Sequence, residues 1–146
     1  MVEKDNQEKR ELKLLGFTFT KFLAQKNPDF KGKLDILSNI NILSLEKQKL
    51  DLINGEAVKI NFDFTLDYKD SGKLEILGNL MLMFDAKTQK QVLEEWKDKK
   101  LPNDIRLAIL NIILQRSSLK ALQLEEEVGL PLHVQLPRLK MGEQKS

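Results

Sequence analysis

His133 is the single histidine of this chain, and the sequence holds no cysteine. Nucleophilic and metal chemistry must therefore be assembled from few parts, with thiolate catalysis, zinc–thiolate sites and disulfides excluded. His133 lies between Pro131 and Pro137 in "GLPLHVQLPRLK". It has no nucleophile motif beside it and no second ligand at metal-binding spacing, so it reads as a structural residue of an extended arm. Ser117 and Ser118, in "RSSLK", fall in the middle of a helical pattern with nothing in the sequence to activate a hydroxyl. Asp63, Asp67 and Asp70 offer oxygens suited to a hard cation. On one strand face, however, Asp63 and Asp67 stand about 13 Å apart, too far to share an ion. Glu125, Glu126 and Glu127 read as a charged helix end, mildly opposed to the helix dipole. No glycine-rich loop ending in Gly-Lys-Ser/Thr is present to hold a nucleotide. The expectation is a protein with no catalytic residue, no metal and no cofactor.

The remaining chemistry is apolar recognition. In "KLEILGNLMLMF", Leu77, Met81 and Met83 alternate with a second apolar set, so the strand is covered on both faces or offers a flexible, polarizable strip to a partner. A second core layer or a subunit interface would use the same residues. The net charge is +2 from 24 basic and 22 acidic residues, which gives no electrostatic footprint for nucleic acid. The basic residues Arg138, Lys140 and Lys145 near the end have no interleaved aromatics on which bases could stack.

The elements that position these residues follow from periodicity. Residues 1–11 read as a flexible charged leader, 12–139 as one domain, and 140–146 as a flexible tail. Period two begins near Leu15, with Leu15, Phe17, Phe19 and Leu23 on one side and Thr18, Thr20 and Phe22 on the other. A second strand carries Leu34, Ile36, Ile40 and Ile42 opposite Asp35, Asn39 and Asn41. After an Asn54-Gly55 turn, Val58, Ile60, Phe62, Phe64, Leu66 and Tyr68 form the apolar face of a third strand. "KDSG" turns the chain into a fourth, whose core face is Leu74, Ile76, Leu80, Leu82 and Phe84, and in which Gly78 marks a bulge or a close backbone approach. A short helix follows with Val92, Leu93 and Trp96 on one stripe, then a long helix beginning at Asn103 or Asp104 as candidate caps and ending at Gly129. The predicted class is α+β: a four-stranded antiparallel meander sheet with a short and a long C-terminal helix packed on one face.

The long helix carries more hydrocarbon than one sheet can cover. On a 3.6-residue period, Ile105, Ala108, Ile109 and Ile112 form one stripe, extended by Leu119 and Leu122. Leu110, Ile113, Leu114, Ala121 and Leu124 form a second, offset one. Each large aliphatic side chain is worth about 1.5–3 kcal/mol when fully buried. A second copy of the chain, covering that second stripe in a dimer or tetramer, is therefore expected.

Four strands, a short helix running into Pro102-Asn103 ("TQKQVLEEWKDKKLPN"), a long apolar helix and the Pro-punctuated close "GLPLHVQLPRL" together resemble the SecB family of protein-export chaperones. The resemblance spans about residues 12–139 in element order. It implies a cytoplasmic, ATP-independent chaperone that binds unfolded or nascent polypeptides on apolar grooves and assembles through sheet edges and long helices as a dimer of dimers. By position, it implies client-binding roles for Phe17, Phe19, Leu77, Met81, Met83 and Trp96. The family's acidic, zinc-binding tail, which engages the export motor, has no counterpart in "KMGEQKS", so a handoff to that motor is not implied.

Two other readings of the same residues stay open: a structural or regulatory module with one specific protein partner, and a hotdog-like domain acting on a lipid or thioester. The latter needs an acid or base among inward positions that are nearly all hydrocarbon. The charged start of the chain lacks the apolar core of a signal peptide, and no apolar run approaches a membrane span. The expectation is therefore a cytoplasmic location without membrane insertion.

Overall fold

In the computed structural model, which describes residues 12–28, 35–50, 55–137 and 139, four strands form one antiparallel sheet. They are β1 (Leu12–Lys26), β2 (Leu37–Leu50), β3 (Gly55–Asp67) and β4 (Gly72–Phe84). Two helices follow, α1 (Ala86–Trp96) and α2 (Asn103–Val128). The expected leader, the tail, the cations Arg138, Lys140 and Lys145, and Leu34 fall outside the described residues.

The strand order is β1-β4-β3-β2, so the meander runs only through β2, β3 and β4, and β1 closes the sheet beside β4 instead of β2. That is a Greek-key order. Its cause lies in the two faces of each strand. A meander would leave β4 at an edge, yet its helix-covered face is apolar throughout and its other face carries Leu77, Met81 and Met83 among Lys73, Glu75 and Asn79. β2, with Asn39, Asn41, Lys47 and Lys49, has the polar character of an edge strand. The structure places β4 centrally and β2 at the rim.

β3 and β4 pair without a register break, and the predicted alternation holds throughout. Val58, Ile60, Phe62, Phe64, Leu66 and Tyr68 are buried, as are Leu74, Ile76, Leu80, Leu82 and Phe84. β1 behaves differently. Bulges between Leu14 and Gly16 and between Phe19 and Lys21 shift its phase. Phe17, Phe19, Phe22 and Ala24 therefore share the helix-covered side, whereas Leu23 pairs with Glu75 on the opposite face and Leu15 is exposed. A continuous period-two reading puts Leu15 and Leu23 on the wrong side and Phe22 likewise, because each bulge inserts an unpaired residue. Gly78 faces Phe62 and Phe19 across the sheet, and a Cβ there would lie 2.5 Å from the Thr18 carbonyl oxygen and 2.8 Å from the Phe62 ring. It marks a close approach.

The core lies between the sheet and the helices. Asp85 caps α1 by accepting from the Thr88 N–H at 2.7 Å, and α1 seats Val92 fully and Leu93 and Trp96 partly against the core. Neither Asn103 nor Asp104 caps α2, because the helix starts directly after Pro102 without a side-chain cap. Its C-terminus follows expectation, with Gly129 at φ 85° donating to the Glu125 carbonyl.

The buried residues of α2 are Ile105, Ile109, Ile113, Ser117, Ala121 and Glu125, one in every four. Four residues advance about 40° beyond one turn, so this line drifts by about 200° along the helix. A helix lying obliquely over a twisted sheet and touching all four strands needs such a drift. The predicted stripes change accordingly. Ile113 and Ala121, expected at a subunit interface, are fully buried against the chain's own sheet. Leu124 packs partly on the core, Leu110 is half-buried and Leu114 is exposed. Leu119, expected in the core stripe, is 68% exposed. No helix among the described residues is long and apolar enough to cross a membrane.

Candidate functional site

Helix α2 is narrower than the sheet beneath it, and a groove opens on each side. The first, about 610 Å³, lies between β2 and the junction of the two helices. Its apolar lining comes from Ile40, Ile42 and Leu43 of β2, from Trp96 at the end of α1, and from Leu101 and Leu110. A bulge after Ile42 lets Leu43 stand out at the sheet edge, where it is half exposed. Charged groups at this groove are Lys99, Lys100, Arg106 and Glu95. Lys99 adopts the left-handed conformation (φ 60°) as the chain leaves α1, and its N–H donates to the Trp96 carbonyl at 2.8 Å. This turn brings the Lys99 ammonium to 5.0 Å from the centre of the Trp96 ring.

The second groove, about 440 Å³, lies on the β1 side of α2, lined by Phe19 and Leu119 with Gln115, Arg116, Lys120 and Gln123. Its floor continues into an aromatic ladder, with ring centres of Phe17 and Phe19 5.1 Å apart, Phe19 and Phe22 5.1 Å, and Phe17 and Phe62 5.3 Å. The Arg116 guanidinium lies 5.2 Å from the Phe17 ring and the Lys120 ammonium 5.2 Å from Phe22.

The candidate binding residues named from sequence thus fall in three places. Phe19 lines the second groove with Phe17 packed beside it, and Trp96 lines the first, both grooves being on the helix side of the sheet. Leu77, Met81 and Met83 are half-buried on the opposite, helix-free face, where Met81 and Met83 pair across the strands with Lys59, Gly16 and Lys13 and Leu77 with Asp63 and Lys21. No single groove joins all six.

A third feature was missed in the sequence altogether. Tyr68 follows β3 and ends the buried row of that strand, while Glu125 ends the buried row of α2. Gly129 reverses the chain so that Leu130 packs beside Gly72 and His133 returns to α2. The Glu125 carboxylate, with no exposed surface, accepts from the Tyr68 hydroxyl and from the His133 backbone N–H at 3.1 Å. His133 Nδ1 lies 2.9 Å and 3.1 Å from its two oxygens. A carboxylate only accepts, so Nδ1 carries the proton and donates. Burial raises the Tyr68 hydroxyl well above the ordinary tyrosine value, and the hydrogen bond to Glu125 and that carboxylate's charge push the same way.

A carboxylate orienting an imidazole is one half of a hydrolytic relay. Here Nε2 of His133 is buried with no hydrogen-bond partner, and the Ser117 hydroxyl is likewise buried and unpartnered, so neither activates the other. The arrangement instead fastens the segment after α2, expected to be an open arm, onto the fold. Its signals were faint: a glutamate at the tail of a four-residue row and a histidine eight residues later. The groove cations had a plainer sign in the "KDKK" run after the short helix. No group of three or more potential metal ligands gathers among the described residues. Compared with protein-family models, with curated proteins and with solved structures, the chain matches none.

Proposed function

We propose that this protein is a non-enzymatic, ATP-independent chaperone of the SecB type, holding unfolded polypeptides in the grooves beside α2. The observation that carries this reading is the Trp96 groove, an open trough on a sheet edge lined half by apolar side chains and half by polar or charged ones. Ile40, Ile42, Leu101 and Leu110 line it without a positioned acid–base pair or nucleophile. Extended chains suit such a site, because side chains enter the trough while the backbone can pair along β2. The hydrophobic effect drives capture without a nucleotide. Self-association is part of the proposal. Leu110, Leu114 and Leu122 form a row along α2 outside the core, with Leu107 beside it, 62% exposed. A second chain covering this row would remove that surface from water.

The test is retention of a reduced, unfolded model protein on the immobilised chaperone, with the native form as control. Trp96→Ala is expected to weaken binding of the unfolded form about 5- to 150-fold, a loss of about 1–3 kcal/mol of buried aromatic contact. Met81→Ser with Met83→Ser, on the opposite face, should leave it unchanged. If retention survives Trp96→Ala and is lost with the methionine pair, the binding surface is the helix-free face. Equal retention of folded and unfolded forms, or of neither, overturns the chaperone reading.

A further inference from the structure

We infer that the two grooves select a subset of unfolded chains, namely apolar segments flanked by Asp or Glu. This rests on the chaperone reading and sharpens it.

The chain as a whole is almost balanced in charge, yet its grooves are not. Lys99, Lys100 and Arg106 stand around the first against Glu95 alone, and Arg116 and Lys120 stand at the second with no acid. Five cations and one carboxylate line surfaces whose remaining groups are apolar or uncharged. Glu95 is itself engaged, accepting from the Gln91 side chain at 2.9 Å. Ion pairs away from the grooves join Lys21 with Glu75, Lys47 with Glu56 and Lys97 with Glu94. Lys99, Arg116 and Lys120 are instead held over Trp96, Phe17 and Phe22. Trp96 in the first groove, and Phe17 and Phe22 beside Phe19 of the second, therefore each have a cation over the ring.

That geometry sets a chemical preference. A client's leucine or phenylalanine settles on the apolar lining, and a carboxylate one or two residues away meets a cation already in place beside it, an attraction that salt screens. A Lys or Arg at the same position meets like charge. The independent occurrence of this arrangement on both sides of α2, built from different strands and different aromatic residues, argues for a property of the binding surface.

Short labelled peptides with one apolar core and Asp/Glu, Gln or Lys flanks, titrated against the full chain, test this directly. At low salt the acidic-flanked peptide is expected to bind about tenfold more tightly than the basic-flanked one, and raising the ionic strength should bring the three together. Lys99→Glu with Lys100→Glu and Arg116→Glu with Lys120→Glu, combined in one variant and checked for native circular dichroism, should reverse the order. Equal binding of all three peptides by the native chain overturns the selectivity and leaves the chaperone reading standing. Failure of every apolar-cored peptide to bind overturns the reading itself. Acidic peptides without apolar residues, or anionic phospholipid vesicles, binding as well as the acidic apolar peptide would overturn the proposal in favour of a general polyanion surface.

Discussion

The two halves of α2 meet the same sheet in opposite ways. The first half is seated by Ile105, Ile109 and Ile113, and the second by Ser117, Ala121 and Glu125. Hydrocarbon seating is non-directional and leaves the helix flanks free, so the Trp96 groove stays open beside the first half. The polar seat is directional. Glu125 is satisfied only where Tyr68 and His133 both reach it, and that requirement fixes the helix end, the turn at Gly129 and the following segment together. The first half leaves its flank open, and the second keeps the Phe19 groove beside Gln115–Gln123 but is closed at its end around Glu125.

Removing each seat breaks that contrast most strongly. Glu125→Ala leaves the Tyr68 hydroxyl and both His133 donors without their acceptor and opens a hole, a loss of about 3–5 kcal/mol in urea unfolding. Ile109→Ala removes a fully buried aliphatic side chain and should cost a similar or smaller amount, about 2–5 kcal/mol. Their proteolysis should differ. Glu125→Ala releases the segment from Leu130 to Leu136, which a protease then cuts before global unfolding, while Ile109→Ala keeps it protected. Identical cleavage patterns would show that the two halves are held in the same way.

Tyr68→Phe sharpens the same contrast by deleting one donor while keeping the ring. It should cost about 1–3 kcal/mol near neutral pH. Because burial and Glu125 raise the folded-state value of Tyr68 above that of the unfolded chain, its contribution is intact below about pH 10 and is lost as the pH rises further. Native protein should therefore lose stability steeply on the alkaline side, and Tyr68→Phe less so. A variant as alkali-sensitive as the native chain would mean that another group governs that limb.

Legibility in the sequence tracked how local each constraint was. β3 and β4 could be read residue by residue because both are central and unbroken, so period two survives from end to end. β1 was legible only as a strand, since two bulges invert its faces. The strand order had a sign in Leu77, Met81 and Met83 on the second face of β4 and in the polar β2, although a hairpin-by-hairpin reading passes over it. Trp96, Phe17 and Phe19 were named by position within the resemblance, and Trp96 and Phe19 line the two grooves. The Glu125 cluster was hidden for a physical reason: its partners come from 57 residues upstream and from the far side of a helix-ending turn, and a glutamate among three gives no sign of which one is buried.

The smallest expected effect separates two descriptions of α2. A 3.6-residue stripe puts Leu119 in the core with Ile112, so Leu119→Gln would cost about 2–3 kcal/mol. The four-residue row puts Leu119 on the outer side with Leu107, Asn111 and Gln115, where it is 68% exposed, and the same substitution should change stability by no more than about 0.5 kcal/mol. Ile113→Gln, assigned by the stripe to a subunit interface and by the row to the core, should by contrast be severely destabilising even at protein concentrations that favour the monomer, because it buries an amide with no partner. If instead Leu119→Gln unfolds the chain and Ile113→Gln affects only its association, α2 is rotated by about half a turn from the position described. The open groove and the closed end would then have to exchange their explanations.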